Sequence, residues 1–296
     1  MSEATVGDTT SIPTRILVFG LVHRDGTLDA SEVYPVATAC GQSPEQVRST
    51  IRRLVGEGLF ERLGGEGRDA RYLATDGGLA AIGSAIERHR LAYAQDAAGR
   101  GWDGRWHLVA FAVPEAARAA RDTFRDRLLA LGGALIHGGL YVSAHPWEKE
   151  VRDEAERLGI APRVTLAATD DLDVGGTTDP RELARSLWDI DEVALGYRSF
   201  IERYEDVPQA LEAMRQRHER LSDADFLPGA LATVVDFQRC FTTDPLLPPE
   251  LLPRPWPGRA ARELLAKCRR LGVLAWERHD RPALFQPLDE VIETLR

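Results

Sequence analysis

Apolar positions along the first sixty residues recur with a helical period, broken at short intervals by capping and turn residues. Thr14 to His23 (TRILVFGLVH) sets Ile16, Leu17, Phe19, Gly20 and Leu21 on one broad stripe behind the helix-starting Pro13. A second helix, SEVYPVATACG, is expected from Ser31 as N-cap to a stop at Gly41, with Pro35 in its first turn or at a slight kink. Ser43 caps a third helix, with Pro44 at the first helical position and Gln46 completing a capping box. Along it Val47, Ile51, Leu54 and Val55 form the apolar face. Glu45, Gln46, Ser49, Arg52 and Arg53 form the other face, with Arg48 on the flank, and Gly58 ends the helix. LFERL and RYLAT then alternate around the glycine-rich GGEGRDA, which predicts a β-hairpin. Helix, helix, polar-faced helix and hairpin make the order of a winged helix-turn-helix, so residues 1–75 are expected to be a DNA-binding domain.

The pattern changes twice more. Residues 76–98 carry Leu79, Ile82, Ile86 and Leu91 at helical spacing and predict a connecting helix. From Trp106 the order is strand (WHLVAFAVP), amphipathic helix, two strands around His137-Gly138-Gly139, helix (Trp147 to Leu158) and strand (PRVTLAA). This β-α-β-β-α-β order predicts a ferredoxin-like domain over 99–174, with one face of an antiparallel sheet covered by helices. Residues 175–296 contain no run of comparable strand character and are expected to be a mainly helical regulatory and dimerisation domain. It is interrupted by the proline-dense TTDPLLPPELLPRPWPG, with a short strand and a tail helix at its end. The fold class expected is α+β.

Composition narrows the function. The chain has 296 residues, 44% hydrophobic and 28% charged, which is the make-up of a globular protein. Its three cysteines (Cys40, Cys240, Cys268) are far apart and form no CxxC pair, which points to reduced thiols in a cytoplasmic setting. The N-terminal residues lack the basic start of a signal peptide, and no stretch approaches the ~18 apolar residues of a membrane span. The net charge of −9 is unlike a typical DNA binder, but Ser43 to Leu73 holds six arginines against five acids, a local net of +1.

The C-terminal block carries a family resemblance. YRSFIERY precedes VVDFQRC and the string Asp244-Pro245-Leu246-Leu247-Pro248, Glu250-Leu251-Leu252-Pro253, Trp256-Pro257-Gly258. The SPEQVRSTIRRLVGEGLFE helix adds Arg48 and Arg53 at familiar places. Over nearly its whole length the chain resembles the phenylacetic-acid-degradation repressor (PaaX) family of bacterial transcription regulators. It departs from the family at Arg52, where a serine is usual, and in its glycine- and acid-rich wing tip. The resemblance implies a homodimeric repressor that binds double-stranded operator DNA and is released by an acyl-coenzyme A effector, phenylacetyl-CoA in the type members.

The candidate residues follow. Ser43, Gln46, Ser49, Arg52 and Arg53 present the third helix to base edges and phosphates, while Arg48, Arg68, Arg71 and Tyr72 suit phosphate contacts on flank and wing. An acyl-CoA would need cations and an apolar slot; Arg198, Arg203, Tyr204 and Arg239 are the candidates. The seven histidines, His137 and His145 included, lack the spacing of a metal site, and no metal or cofactor is expected. The sequence holds no GxxxxGK, no GxGxxG after the first strand of the central domain and no GxSxG, so no enzymatic role is expected. Two other readings stay open: a metal-dependent nuclease using Asp170, Asp171 and Asp173 after the last strand of the central domain, and a dimerisation protein that does not bind DNA.

Overall fold

The computed structural model describes residues 12–277 and 284–285. The chain is α+β, with two antiparallel sheets among many helices, and divides into two compact units. One comprises the chain through Tyr93, residues 197–241 and the chain from Gly258 onward; the other comprises 94–196 and 242–257.

In the first unit the order is α1 (Thr14–Gly20), β1 (Thr27–Asp29), α2 (Ala30–Ala39), α3 (Pro44–Gly56), β2 (Phe60–Gly64), β3 (Arg71–Ala74) and α4 (Asp76–Ala98), the last five residues of which belong to the other unit. The first helix stops three residues before the expected His23. There the chain turns back: His23 N–H donates to the Thr27 carbonyl at 2.8 Å and Gly26 N–H to the His23 carbonyl at 3.0 Å, with Gly26 at φ 81°. That left-handed conformation costs little only for glycine. The turn leads into β1, which pairs with β3, so the expected hairpin is a three-stranded sheet in the order β1-β3-β2. A three-residue strand is too short to show alternation. The second helix begins two residues earlier than expected, with Asp29 rather than Ser31 at its N-cap, and Pro35 lies inside it.

The third helix matches its sequence signal. Gln46 N–H donates to Ser43 Oγ at 3.2 Å and Ser43 N–H to Gln46 Oε1 at 2.7 Å, closing the capping box with Pro44 at N1. Val47, Ile51 and Leu54 are buried. Their core also contains Leu17, Val18 and Leu21 of α1, Val33 and Val36 of α2, and Phe60 of β2. It extends to Phe226, Leu227, Leu231 and Trp276, far along the chain.

The second unit contains β4 (Trp106–Phe111), α5 (Arg118–Ala130), β5 (Ala134–His137), β6 (Leu140–Ser143), α6 (Glu148–Arg157), β7 (Val164–Thr169) and α7 (Pro180–Leu187). Its four strands lie in the order β5-β6-β4-β7, all antiparallel. Alternation along β4 and β6 feeds two cores. Val109 and Tyr141 pack with Phe124 and Leu128 of α5 and Val151 of α6. Trp106 and Val142 pack with Leu183 and Trp188 and with Leu247, Leu251 and Leu252 of the proline-dense connector. Both faces are therefore covered, where the sequence suggested one. The connector is anchored through Glu250, whose carboxylate accepts from the Gly101 amide at 3.1 Å, and it turns at Pro248, whose carbonyl accepts from the Leu251 amide at 2.9 Å.

The remaining helices are α8 (Ile190–Tyr204), α9 (Val207–Gln216), α10 (Asp223–Thr243) and α11 (Pro257–Ala275). Of the expected terminal strand, an isolated parallel bridge joins Leu221 and Trp276; the tail helix lies outside the described residues. Among the described residues, no helix is long and apolar enough to cross a membrane.

Candidate functional site

The polar face of α3 is solvent-facing along its length: Gln46, Arg48, Ser49, Arg52 and Arg53 are all exposed. The capping box holds Ser43 and Gln46, so the Gln46 amide oxygen is already accepting a hydrogen bond. Arg48 lies 3.8 Å from Glu45, and Arg53 lies 3.8 Å from Glu57. Ion pairs at that exposure are weak and exchange readily.

A groove of about 320 Å³ is lined by Arg48, Ile51 and Arg52 of α3, by Arg62 and Tyr72 of the hairpin strands and by Tyr34 of α2. It brings three of the candidate residues, Arg48, Arg52 and Tyr72, to one concave surface and adds Arg62 and Tyr34. Arg62 is oriented by the hairpin: its guanidinium donates to the Gly65 carbonyl beside a bulge between Arg62 and Gly64. Gly65 has φ 72°, and a Cβ there would lie 2.0 Å from the Asp69 carbonyl oxygen, so this tip requires glycine. Arg68 stacks over Tyr34 with its guanidinium carbon 5.9 Å from the ring centre. Arg71 is engaged elsewhere, its Nε donating to Asp29 Oδ1 at 2.7 Å. Ser43, Gln46, Ser49 and Arg53 lie on the same helix but do not line the groove. The sequence reading missed Arg62 because charge on a hairpin strand is ordinarily just a solvated face.

Three of the four effector candidates converge, and on a residue the sequence reading passed over. Tyr204 Oη–H donates to Asp236 Oδ2 at 2.7 Å, Arg203 Nη1–H donates to the same oxygen at 3.0 Å, and Arg239 Nη1–H donates to Oδ1 at 2.9 Å. Asp236 is 7% exposed. Its carboxylate answers much of the charge that Arg203 and Arg239 would offer an anion. Arg198 stands exposed on α8 and does not join them.

Beside this network, in the same unit, lies a cavity of about 380 Å³ with mainly apolar walls. Tyr204, Leu211, Leu221 and Val273 line it, and Phe226 and Trp276, stacked at 4.4 Å between ring centres, lie side by side in its wall. The volume suits a small aromatic or aliphatic group. Cys268 also faces the cavity, and burial pushes its thiol up to about 11, so it stays protonated and unreactive at neutral pH. Of the histidines weighed as ligands, His145 donates Nε2–H to the Leu246 carbonyl at 2.7 Å, and burial holds its pKa below the ordinary value despite that bond.

An α+β chain with a capped, arginine-bearing helix beside a small sheet, and a second antiparallel sheet of four strands, defines the class. Residues 99–184 match the PaaX protein central Cas2-like domain, and residues 188–279 match the PaaX-like protein C-terminal domain. The chain belongs to the PaaX family. It is similar to the transcriptional repressor PaaX of Escherichia coli K12, with 23% identity over 255 residues, covering 86% of this chain and 77% of that protein. In fold it is similar to the uncharacterized protein Rv0674 from Mycobacterium tuberculosis, with a TM-score of 0.53 and 22% identity over 95% of this chain and all of the other.

Proposed function

We propose that this chain is a transcriptional repressor that binds double-stranded operator DNA as a homodimer and is released by an acyl-coenzyme A. In this reading residues 1–75 form a winged helix-turn-helix, with α3 entering the major groove and the β2–β3 hairpin as wing. Residues 76–98 connect, 99–174 form a ferredoxin-like domain, and 175–296 regulate and dimerise. The strand order of the four-stranded sheet supports the ferredoxin-like reading, and the α-β-α-α-β-β order supports the winged helix. The observation that carries DNA binding is the groove in which Arg48, Arg52 and Arg62 stand together beside Tyr72. Guanidiniums gathered on one concave surface suit phosphate oxygens and guanine edges.

For the effector, the apolar cavity supports a slot for the acyl group. Phe226 and Trp276 belong both to its wall and to the core beneath α3. A ligand can release DNA only by binding the two states differently, and shared wall residues supply such a link. Its phosphates would meet Arg269, which also lines the cavity, rather than Arg203 and Arg239, which share the Asp236 carboxylate.

The test is fluorescence anisotropy of a duplex from upstream of the chain's own operon, across a salt series, with and without phenylacetyl-CoA. Tight, salt-dependent binding abolished by the thioester is expected. Absence of binding at low salt overturns the repressor reading; binding indifferent to the thioester overturns the effector class alone.

A further inference from the structure

A second chemical constellation lies away from the groove, where β1 runs into α2. His23, Asp29 and Glu32 each offer one donor atom, and these atoms all lie within 4.8 Å of one another. We propose that these three side chains bind a divalent transition-metal ion of the zinc class.

The scaffold holds all three from the backbone. The turn at Gly26 returns the chain so that β1 runs back alongside His23, whose amide is bonded to the Thr27 carbonyl. Asp29 occupies the N-cap position of α2, yet its side chain makes no capping hydrogen bond, so the carboxylate is not spent on the helix. Glu32 lies in the first turn of α2. The His23 Nε2 and Glu32 Oε2 atoms are 3.1 Å apart, already near the ~3.4 Å that separates two ligands of a tetrahedral zinc ion. The side chains of His23, Glu32 and Asp29 are 32%, 30% and 25% exposed, sheltered but open enough for water to complete the coordination.

Ligand chemistry sets the class of ion. Calcium and magnesium prefer oxygen alone, whereas one imidazole with two carboxylates suits zinc or its first-row neighbours. The competitor for the site is internal. Arg71 is the register partner of Asp29 across the β1–β3 ladder and holds its Oδ1 at 2.7 Å. An ion that takes Asp29 displaces Arg71 and frees a guanidinium on the hairpin. The ion site itself is independent of any DNA contact; the consequence for Arg71 rests on the repressor reading above.

The experiment uses the metal-free full chain, titrated calorimetrically with Zn²⁺ and followed by visible absorption with Co²⁺. One ion per chain is expected. His23→Gln and Glu32→Gln should each weaken binding at least about tenfold, while Arg71→Ala should tighten it by removing the competitor. Glu32→Gln is isosteric, and melting curves without metal keep loss of binding separate from loss of fold. Stoichiometric binding that survives unchanged in the His23→Gln/Glu32→Gln double variant overturns the site, as does a wild type that binds no more ion than that variant. In the anisotropy assay, Zn²⁺ should change DNA affinity for the wild type and not for Glu32→Gln. A metal-loaded wild type whose DNA affinity is unchanged overturns the Arg71 exchange, and a chain that binds Zn²⁺ but no DNA locates the failure in the repressor reading instead.

Discussion

The phenol of Tyr204 and the carboxylate of Asp236, thirty-two residues apart in sequence, meet in a 2.7 Å hydrogen bond where α8 packs on α10. Both residues are buried, and Arg203 and Arg239 close the other lone pairs of the carboxylate. Removing the phenol oxygen in Tyr204→Phe should cost about 1.5–3 kcal/mol, the range for a hydrogen bond to a charged group. Asp236→Ala should cost more, because it strands the Tyr204 hydroxyl as well. Urea denaturation of both variants checks the order; equal or negligible losses would show the network to be decorative.

A buried histidine makes stability depend on pH. His89 is 4% exposed, its ring tilted against that of Phe241 with the centres 4.3 Å apart, and its Nε2 has no hydrogen-bond partner among the described residues. Burial above all, helped by the charges of Arg88, Arg262 and Arg269 and opposed by the bond to the Ala85 carbonyl, lowers its pKa from 6.5 to about 4. Between those values the unfolded chain takes up a proton that the folded chain refuses. Stability is therefore lost as pH falls through that window, by roughly 3 kcal/mol in all, and levels off below pH 4 for this group. His89→Leu should flatten that part of the pH profile in urea titrations at pH 7, 6 and 5.

Ser43→Ala should remove about 1 kcal/mol by leaving the first turn of α3 uncapped. Its effect on DNA affinity should be nearly the same at every salt concentration, since no charge changes. A steep salt dependence of the loss would instead mark Ser43 as part of a phosphate contact.

Arg62→Ala should make the slope of log affinity against log salt shallower by about 0.9, the contribution of one phosphate. The same substitution at Arg163, exposed in the other unit, should leave the slope unchanged. Identical slopes for Arg62→Ala and the wild type would place the groove outside the DNA contact.

Gly229 faces the apolar cavity from α10, and a Cβ there meets nothing within 4 Å. Gly229→Leu should therefore be accommodated at its Cβ, crowd the cavity and raise helix propensity. The expected result is a chain that melts no lower than the wild type and holds DNA but no longer responds to the thioester. Continued release by phenylacetyl-CoA would move the effector elsewhere.

What could be read from the sequence depended on how local each signal was. Ser43, Pro44 and Gln46 announce the start of α3 within four residues, and the structure closes that capping box. The two hairpin strands flank a glycine-rich tip and were equally plain, as was the strand and helix succession from Trp106 to Thr169. By contrast β1 is three residues long, and its pairing with β3 spans more than forty positions. Arg203, Tyr204 and Arg239 stood out by composition, but their shared partner Asp236 is one acid among many until α8 and α10 pack together. Arg62 joined Arg48 and Arg52 only once the hairpin folded back along α3. The covering of the second sheet face by Leu247, Leu251 and Leu252 was likewise hidden, because a proline-dense run shows no periodicity.

The core beneath α3 also sets an order of events during synthesis. Leu17, Val18, Leu54 and Phe60 leave the ribosome some two hundred residues ahead of Phe226, Leu227, Leu231 and Trp276, which share their core. At about 5–20 residues per second that is a wait on the order of ten to forty seconds. During it the nascent N-terminal helices present apolar surface whose cover has not yet been made. The segment that would read DNA is thus translated well before the residues that complete its core.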